Sequence, residues 1–216
     1  MKIKDAKQIT SGDISTKNSK ILGTSFGLSP WMCKKGSELA KIKGSVCHQC
    51  YAKRGSGIYP NVKKGRTNNT IAIIDQTKID GLKKWASAMT VLINSRCKIG
   101  FHRWHDAGDL QSLEHYQAII KIAENLPHIR FWLPTKESNI IKNHKGSIPD
   151  NLCIRLSGSM IDGLPPKVKK GLNTSTVHKN MGAHGFVCPA PAQNNSCGEC
   201  TACYSKNVLN VSYYKH

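Results

Sequence analysis

Nine cysteines occur in the 216 residues, and seven of them fall into two closely spaced groups. The C-terminal cysteine quartet consists of Cys188, Cys197, Cys200 and Cys203, whose last three members form a CxxCxxC run. Such spacings bring thiolates onto one metal from a tight turn, and four cysteines suit tetrahedral zinc or an iron–sulfur cluster. The CxxCxxC run favours a [4Fe–4S] cluster, because zinc sites more often separate two CxxC pairs by a longer stretch. Zinc remains the alternative for this quartet.

The N-terminal cysteine trio consists of Cys33, Cys47 and Cys50. Three thiolates without an evident fourth leave one coordination position open, and chemistry takes place at open positions. We therefore expect a second [4Fe–4S] cluster here, with a zinc site completed by His48 or a distant residue as the alternative. Cys188 is eight residues from its nearest partner, so a different partition would add it to the trio. Cys97 and Cys153 have apolar neighbours and are predicted to be core thiols rather than ligands.

The segment FHRWHDAGDL, residues 101–110, combines ionisable side chains with a glycine directly after a predicted strand. Parallel α/β folds place their sites at such strand ends. His105, Asp106 and Asp109 are therefore candidate catalytic residues, although both aspartates could simply cap the turn and the next helix. Alternation along the strand predicts His102 and Trp104 on one face and Arg103 and His105 on the other.

Two further strand ends carry polar residues, at Lys136 and at Arg155 and Ser157. Polar groups after three consecutive strands predict one pocket, in which Lys136 and Arg155 would bind a carboxylate or a phosphate. Trp31, Trp104 and Trp132 could stack on a base, with core packing favoured for Trp132.

The elements that would position these residues alternate between strands and helices. Strands are predicted at 21–28, 98–104, 128–134, 151–157 and 175–179, and helices at 77–95, 137–144, 166–172 and after Ser112, which can cap a helix. This order predicts an α/β fold with parallel strands, a small partial βα barrel followed by a C-terminal cysteine-rich metal knuckle. We divide the chain into a loosely attached polar arm (1–20), the barrel domain (21–180, with a cysteine-rich loop at 31–55), and the knuckle and tail (181–216).

The charge of the chain points to a polyanionic partner. Thirty-two Lys and Arg against 13 Asp and Glu give a formal charge of +19. Such a field attracts nucleic acid or a phosphorylated small molecule, although a solubilising surface would have the same composition. No apolar run is long enough for a membrane span, and the polar N-terminus does not resemble a signal peptide. Clustered thiols without a secretion signal indicate the cytoplasm.

Four motifs occur in the order found in a known family. CHQCYA, FHRWHDAGDL, FWLPTKE and CPAP…CGECTACY, within residues 20–205, resemble the phage- and plasmid-encoded "gene product eighty-eight" family. The resemblance implies a bacterial host cytoplasm as the setting, but by itself no particular chemistry.

The chain also resembles radical S-adenosylmethionine (SAM) enzymes, which place three cluster-binding cysteines in a loop after a strand. Their usual spacing is CxxxCxxC, whereas thirteen residues separate Cys33 from Cys47, and Gln49 stands where an aromatic residue is usual. The resemblance implies that the trio binds a [4Fe–4S] cluster whose open iron chelates SAM, and that Ala107-Gly108-Asp109 replaces the Gly-Gly-Glu element. Cofactor contacts are accordingly assigned to Tyr51, Gly108, Asp109 and Ser157.

These patterns predict an iron–sulfur, radical-SAM-like enzyme acting on nucleic acid or a nucleotide. Two alternatives remain open. One is a non-catalytic iron–sulfur or zinc nucleic-acid-binding module of a phage or plasmid. The other is a metal-dependent nuclease or hydrolase that uses His105 and Asp106.

Overall fold

The computed structural model describes residues 1–16, 18, 20–169 and 171–215. Its centre is a sheet of seven strands: β1 (Thr24–Phe26), β2 (Phe101–Trp104), β3 (Arg130–Thr135), β4 (Leu152–Ile161), β5 (Asn173–His178), β6 (Phe186–Val187) and β7 (Asn210–Tyr214). The spatial order is β1, β2, β3, β4, β5, β7, β6, and all neighbouring pairs are parallel. The predicted α/β class with parallel strands is therefore confirmed.

Within the described ranges, six helices accompany the sheet: α1 (Ile3–Ile9), α2 (Lys34–Leu39), α3 (Pro60–Asp80), α4 (Lys83–Arg96), α5 (Leu113–Asn125) and α6 (Ser138–Asn143). The Oγ of Ser112 accepts a hydrogen bond from His115 N at 3.1 Å, so the predicted cap of α5 is present. Short 3₁₀ turns cover Pro30–Met32, Tyr51–Lys53, Gly55–Ile58, Ala190–Gln193 and Ala202–Tyr204.

The core lies on the face of the sheet that α4 and α5 cover. His102 and Trp104 of β2, Phe131 of β3, and Leu152 and Ile154 of β4 point towards these helices and are buried. Trp104 stacks near Phe131 with ring centroids 6.3 Å apart. Side chains of the opposite face, among them Phe101 and Trp132, contact Tyr204 of the C-terminal segment. The sheet is thus covered by helices on one face and approached by cysteine-rich chain on the other.

Several elements differ from those predicted. The helix predicted at 77–95 is two helices, because Gly81 and Leu82 have left-handed backbones (φ 61° and 69°) that end α3 and begin α4. The described residues of 166–172 are not helical. Residues 3–9 form α1, whose Ala6 is fully buried, rather than a loosely attached arm. The C-terminal tail adds β6 and β7 to the same sheet instead of lying outside it.

Candidate functional site

The segment that carries the cysteine trio leaves the carboxyl end of β1 and is fixed to the loops after β2 and β3. Leu28 N donates to the carbonyl of Ala107 at 2.7 Å. Lys34 Nζ donates to the carbonyl of Gln111 at 2.7 Å, and Lys35 N donates to Glu137 Oε1 at 2.8 Å. These bonds place Cys33, which directly precedes α2, at the edge of the sheet where the strands end.

The part of this segment that contains Cys47 is fixed to the far end of β4. Ser45 and Met160 form an isolated antiparallel bridge. Val46 N donates to the carbonyl of Ser159 at 2.9 Å, and Ile161 N donates to that of Gly44 at 3.0 Å. The Tyr51 hydroxyl donates to the carbonyl of Asp106, beyond β2. The trio therefore lies over the ends of β2, β3 and β4.

Asp109 and Lys136 lie at these strand ends and face the trio. Asp109 accepts hydrogen bonds from Thr135 Oγ1 at 2.6 Å and from the backbone N–H groups of Leu110 and Lys136, both at 2.8 Å. Lys136 Nζ donates to the carbonyl of Gly158 at 2.5 Å. Asp109 thus joins the β2 loop to the end of β3, and Lys136 joins β3 to β4.

Burial dominates the electrostatics of these groups. Burial raises the pKa of Asp109 to about 6, although its three hydrogen bonds oppose the shift. Burial lowers the pKa of Lys136 while Cys47, Asp109 and Cys50 oppose that change. A carboxyl and an amine with shifted pKa values beside clustered thiols are typical of functional sites.

The three thiols of the trio are close to one another. Burial, followed by the charges of Asp109, Cys50 and Cys47, raises the pKa of Cys33 to about 12. Burial also raises the pKa of Cys47, which Lys136 and Lys53 partly offset. A β-carbon added to Gly36 would lie 3.7 Å from Cys33 Sγ and 3.8 Å from Cys47 Sγ, so the glycine leaves room for both sulfurs. Thiols that hinder one another's ionisation need a nearby cation before they can become thiolates together.

His48 turns away from the trio. Its Nδ1 lies 3.0 Å from the carbonyl of Ala40, and the side chain is exposed. This contact occupies only Nδ1, so Nε2 is the one ring nitrogen through which His48 could complete a closed zinc site.

The cysteine quartet lies against the sheet face opposite the helices. All four cysteines line one small cavity of about 20 Å³ together with Trp132 and Tyr204. Cys203 Sγ lies 3.2 Å from the Tyr213 hydroxyl, and burial raises the pKa of Cys203 to about 12. Cys188 is thus beside the other members of the quartet and not beside the trio.

Arg155 lies with the quartet and not with Asp109 and Lys136 at the strand ends. Its guanidinium is fully buried and donates to five carbonyls at 2.7–3.1 Å, those of Thr174, Ala202, Cys203, Ser205 and Val208. We expected Arg155 to bind a carboxylate or a phosphate. Its N–H groups are instead bonded to these five carbonyls, so no donor is free for such a ligand.

The remaining predicted site residues are dispersed. His105 has a left-handed backbone (φ 51°) and points into the core, 5.3 Å from His115 between ring centroids. Asp106 pairs with Arg66 at 3.2 Å. Ser157 Oγ accepts from Ser175 Oγ at 3.2 Å on β5. Gly108 (φ 79°) packs so tightly on Leu28 that an added β-carbon would lie 2.4 Å from Leu28 Cβ.

The other aromatic and cysteine predictions can be located in the same way. Trp104 is buried in the core, Trp132 lies under Arg103 at 4.4 Å, and Trp31 is 37% exposed. Cys97 and Cys153 are buried. Sequence reasoning missed Glu137, which accepts from Lys35 N, and Lys53, whose charge lowers the pKa of Cys33. Only the nearness of Glu137 to Lys136, and of Lys53 to Cys50, along the chain could have indicated them.

Within the described ranges, no group of three or more His, Cys, Asp or Glu side chains has the arrangement of a metal site. The thiols are gathered but do not adopt ligand geometry. In the same part of the chain, none of the helices combines the length and apolar character that a membrane crossing requires.

Comparison with known proteins gives one match. A protein-family model described as "Gene product 88" matches residues 1–184. Neither the curated proteins nor the solved structures contain a match to the chain. The comparisons therefore support the first of the two resemblances and give no support to the one with radical SAM enzymes.

Proposed function

The chain belongs to the gene product 88 family, and for this member we propose an iron–sulfur enzyme of radical-SAM-like architecture that acts on nucleic acid or a nucleotide. One observation carries the proposal. Three cysteines from the segment after β1 gather over the carboxyl ends of β2, β3 and β4, beside the buried pair Asp109 and Lys136. Sites of parallel α/β folds lie at this edge.

The donor set of the trio suits a cluster with one iron left open. Three thiols are close together, and they supply the three ligands of the proposed site. A cation would remove the mutual hindrance to ionisation, since metals bind the thiolate form. When bound, a [4Fe–4S] cluster supplies one-electron chemistry at the iron that no cysteine ligates, where SAM would bind.

The residues of the chain would orient and shield the substrate. Asp109 fixes the β2 loop against β3, and through Gly108 this loop approaches Leu28 closely. Lys136 brings a positive charge beside the trio, which suits an anionic group on the substrate. Both side chains are largely withdrawn from solvent, a setting that strengthens their electrostatic interactions.

The strand order supports a partial barrel as part of this proposal. Strands β1 to β5 are neighbours in chain order and all parallel, as in a βα barrel. The quartet, held by Arg155 on the opposite face, would bind a second cluster or a zinc ion in a structural role. Free thiols require a reducing compartment, so the proposed setting is the cytoplasm.

A non-catalytic metal-binding nucleic-acid module is the second candidate. The observation that favours it is the extensive anchoring of the quartet by Arg155, which is typical of a structural site. A hydrolase based on His105 and Asp106 has less support, because His105 is buried in the core and Asp106 pairs with Arg66.

An electron paramagnetic resonance experiment on anaerobically purified, reduced protein separates the two candidates. We expect a [4Fe–4S] signal that changes when SAM is added. Cys50→Ala should abolish the SAM-dependent change, whereas Cys97→Ala, which replaces a buried core thiol, should retain it. A signal that is identical with and without SAM would instead support the non-catalytic module.

A further inference from the structure

The surface around the trio concentrates positive charge. Residues 31–66 contain nine Lys and Arg and one acidic residue, Glu38. Some of these charges are used by the protein itself: Lys34 bonds to Gln111, Lys35 pairs with Glu38, and Arg66 pairs with Asp106. The remaining basic residues of the segment are Lys41, Lys43, Lys53, Arg54, Lys63 and Lys64.

Exposed aromatic side chains lie among these charges. Trp31 is 37% exposed, Tyr51 is 68% exposed and Tyr59 is 61% exposed. The Tyr51 hydroxyl is tethered to the carbonyl of Asp106, so its ring is oriented although most of the side chain is in solvent. An exposed aromatic ring that is held in place loses little conformational entropy when a ligand stacks on it.

Contacts join these residues into one surface. Lys63 Nζ lies 4.9 Å from the centroid of the Trp31 ring, which connects α3 to the turn before Cys33. Arg66 reaches the same Asp106 that holds Tyr51. Gly57 packs against the carbonyl of Ala52, so the turns at 51–53 and 55–58 adjoin. The contacting basic and aromatic residues therefore lie beside one another on the segment that carries the trio, from the turn before Cys33 to α3.

We propose that this surface binds single-stranded nucleic acid, with Tyr51 and Tyr59 stacking on unpaired bases and the lysines and Arg54 contacting phosphates. Only unpaired bases offer free faces to an aromatic side chain, whereas a duplex would use the charges alone. A membrane surface is less suitable, because interfacial binding needs a helix with an exposed apolar face. The helix α2 has six residues, and α3, which carries Lys63 and Lys64, buries Ala72 and Ile73 in the protein. The inference rests on the proposed function in one respect, since the surface would lead the nucleic acid to the trio. Binding of the nucleic acid to the surface itself needs no cluster.

Fluorescence anisotropy with a labelled single-stranded DNA of about 16 nucleotides tests the stacking component. Tyr51→Ala and Tyr59→Ala should each weaken binding by about fivefold or more, the loss expected when one base–aromatic stack is removed. Tyr51→Phe should bind with an affinity between those of Tyr51→Ala and the wild type, because it keeps the ring but loses the hydroxyl that holds it. The matched control is Tyr214→Ala, which removes a 48% exposed tyrosine from β7.

The charge component is tested by titrating salt from about 50 to 200 mM. The double variant Arg54→Gln/Lys64→Gln should reduce the salt slope by about 1.4, since each lost phosphate contact on a single strand contributes about 0.7. Lys121→Gln/Lys142→Gln on α5 and α6 is the control and should leave the slope unchanged.

Four results would overturn the proposal: no binding at about 50 mM salt, equal affinity for duplex DNA, tyrosine variants that bind like the control, or binding only to phosphatidylserine vesicles. Iron content is measured separately on each sample. A surface that does not bind nucleic acid can then be distinguished from a trio that does not bind iron.

Discussion

At the scale of single residues, three histidines are buried in the core and have lowered pKa values. His102, His105 and His115 are at most 3% exposed, and each has at least one ring nitrogen without a partner in the described structure. Burial lowers the pKa of His102 and of His115 to about 3. These side chains are therefore neutral core residues at physiological pH.

This burial predicts how stability depends on pH. The folded pKa lies below the unfolded value of about 6.5, so unfolding takes up a proton at each histidine. Their stabilising contribution is complete above pH 6.5 and is lost as the pH falls towards 3. At pH 5, His115→Leu should lower the slope of unfolding free energy against pH by about 1.4 kcal/mol per unit.

Urea unfolding at a series of pH values measures that slope. The control is His128→Leu, which removes an exposed histidine and should keep the wild-type slope. Equal slopes in the wild type and His115→Leu would show that His115 takes up no proton on unfolding.

The position of His105 shows why alternation alone misplaced a candidate. A continuous strand would place His105 on the face of Arg103, opposite His102. The strand ends at Trp104, and the left-handed backbone of His105 turns its side chain back towards the core. A positive φ at a non-glycine residue has no signal in the sequence, whereas Asp109 could be predicted because it follows the strand in a polar turn.

At the scale of elements, the sequence predicted the apolar strands and the helix α5 with its Ser112 cap. It did not predict the break between α3 and α4. The apolar spacing from Ile79 to Ile93 continues across the junction of α3 and α4, so periodicity does not reveal the break at Gly81 and Leu82. The helix predicted at 166–172 starts at Pro166, which the first turn of a helix tolerates. The segment has only Val168 and Leu172 as larger apolar residues, too few for the packing that stabilises a short helix.

The link between β4 and the C-terminal segment rests on Arg155. Arg155→Lys should lower the free energy of unfolding by about 3 kcal/mol, because one ammonium cannot satisfy five carbonyls and the unpaired ones stay buried. Faster hydrogen exchange should be confined to residues around 202–210. Urea unfolding and hydrogen exchange measure the two effects.

Arg130→Lys provides the comparison, since Arg130 is exposed at the start of β3 and the change should stay within about 0.5 kcal/mol. If Arg155→Lys is equally mild, the guanidinium does not hold the C-terminal segment.

At the scale of the whole molecule, the parallel sheet determines where chemistry can occur. Its strand order brings the ends of β1 to β5 to one edge, as the alternation of strands and helices predicts. The placement of the trio was not predictable in detail, because contacts such as Val46 with Ser159 join residues over 100 positions apart. Arg155 was assigned to the wrong group for the same reason, since β7 and the quartet return to the sheet only in three dimensions.

The measurement that most directly tests the central claim is the iron and acid-labile sulfide content per chain after anaerobic purification. Replacing the trio (Cys33→Ala, Cys47→Ala and Cys50→Ala together) should remove about four iron and four sulfide per chain relative to Cys97→Ala. The variant Cys197→Ala/Cys200→Ala should keep the iron of the trio and lose only the metal of the quartet, together with stability. An iron content that does not change when the trio is replaced, or zinc in place of iron at the trio, would contradict the account.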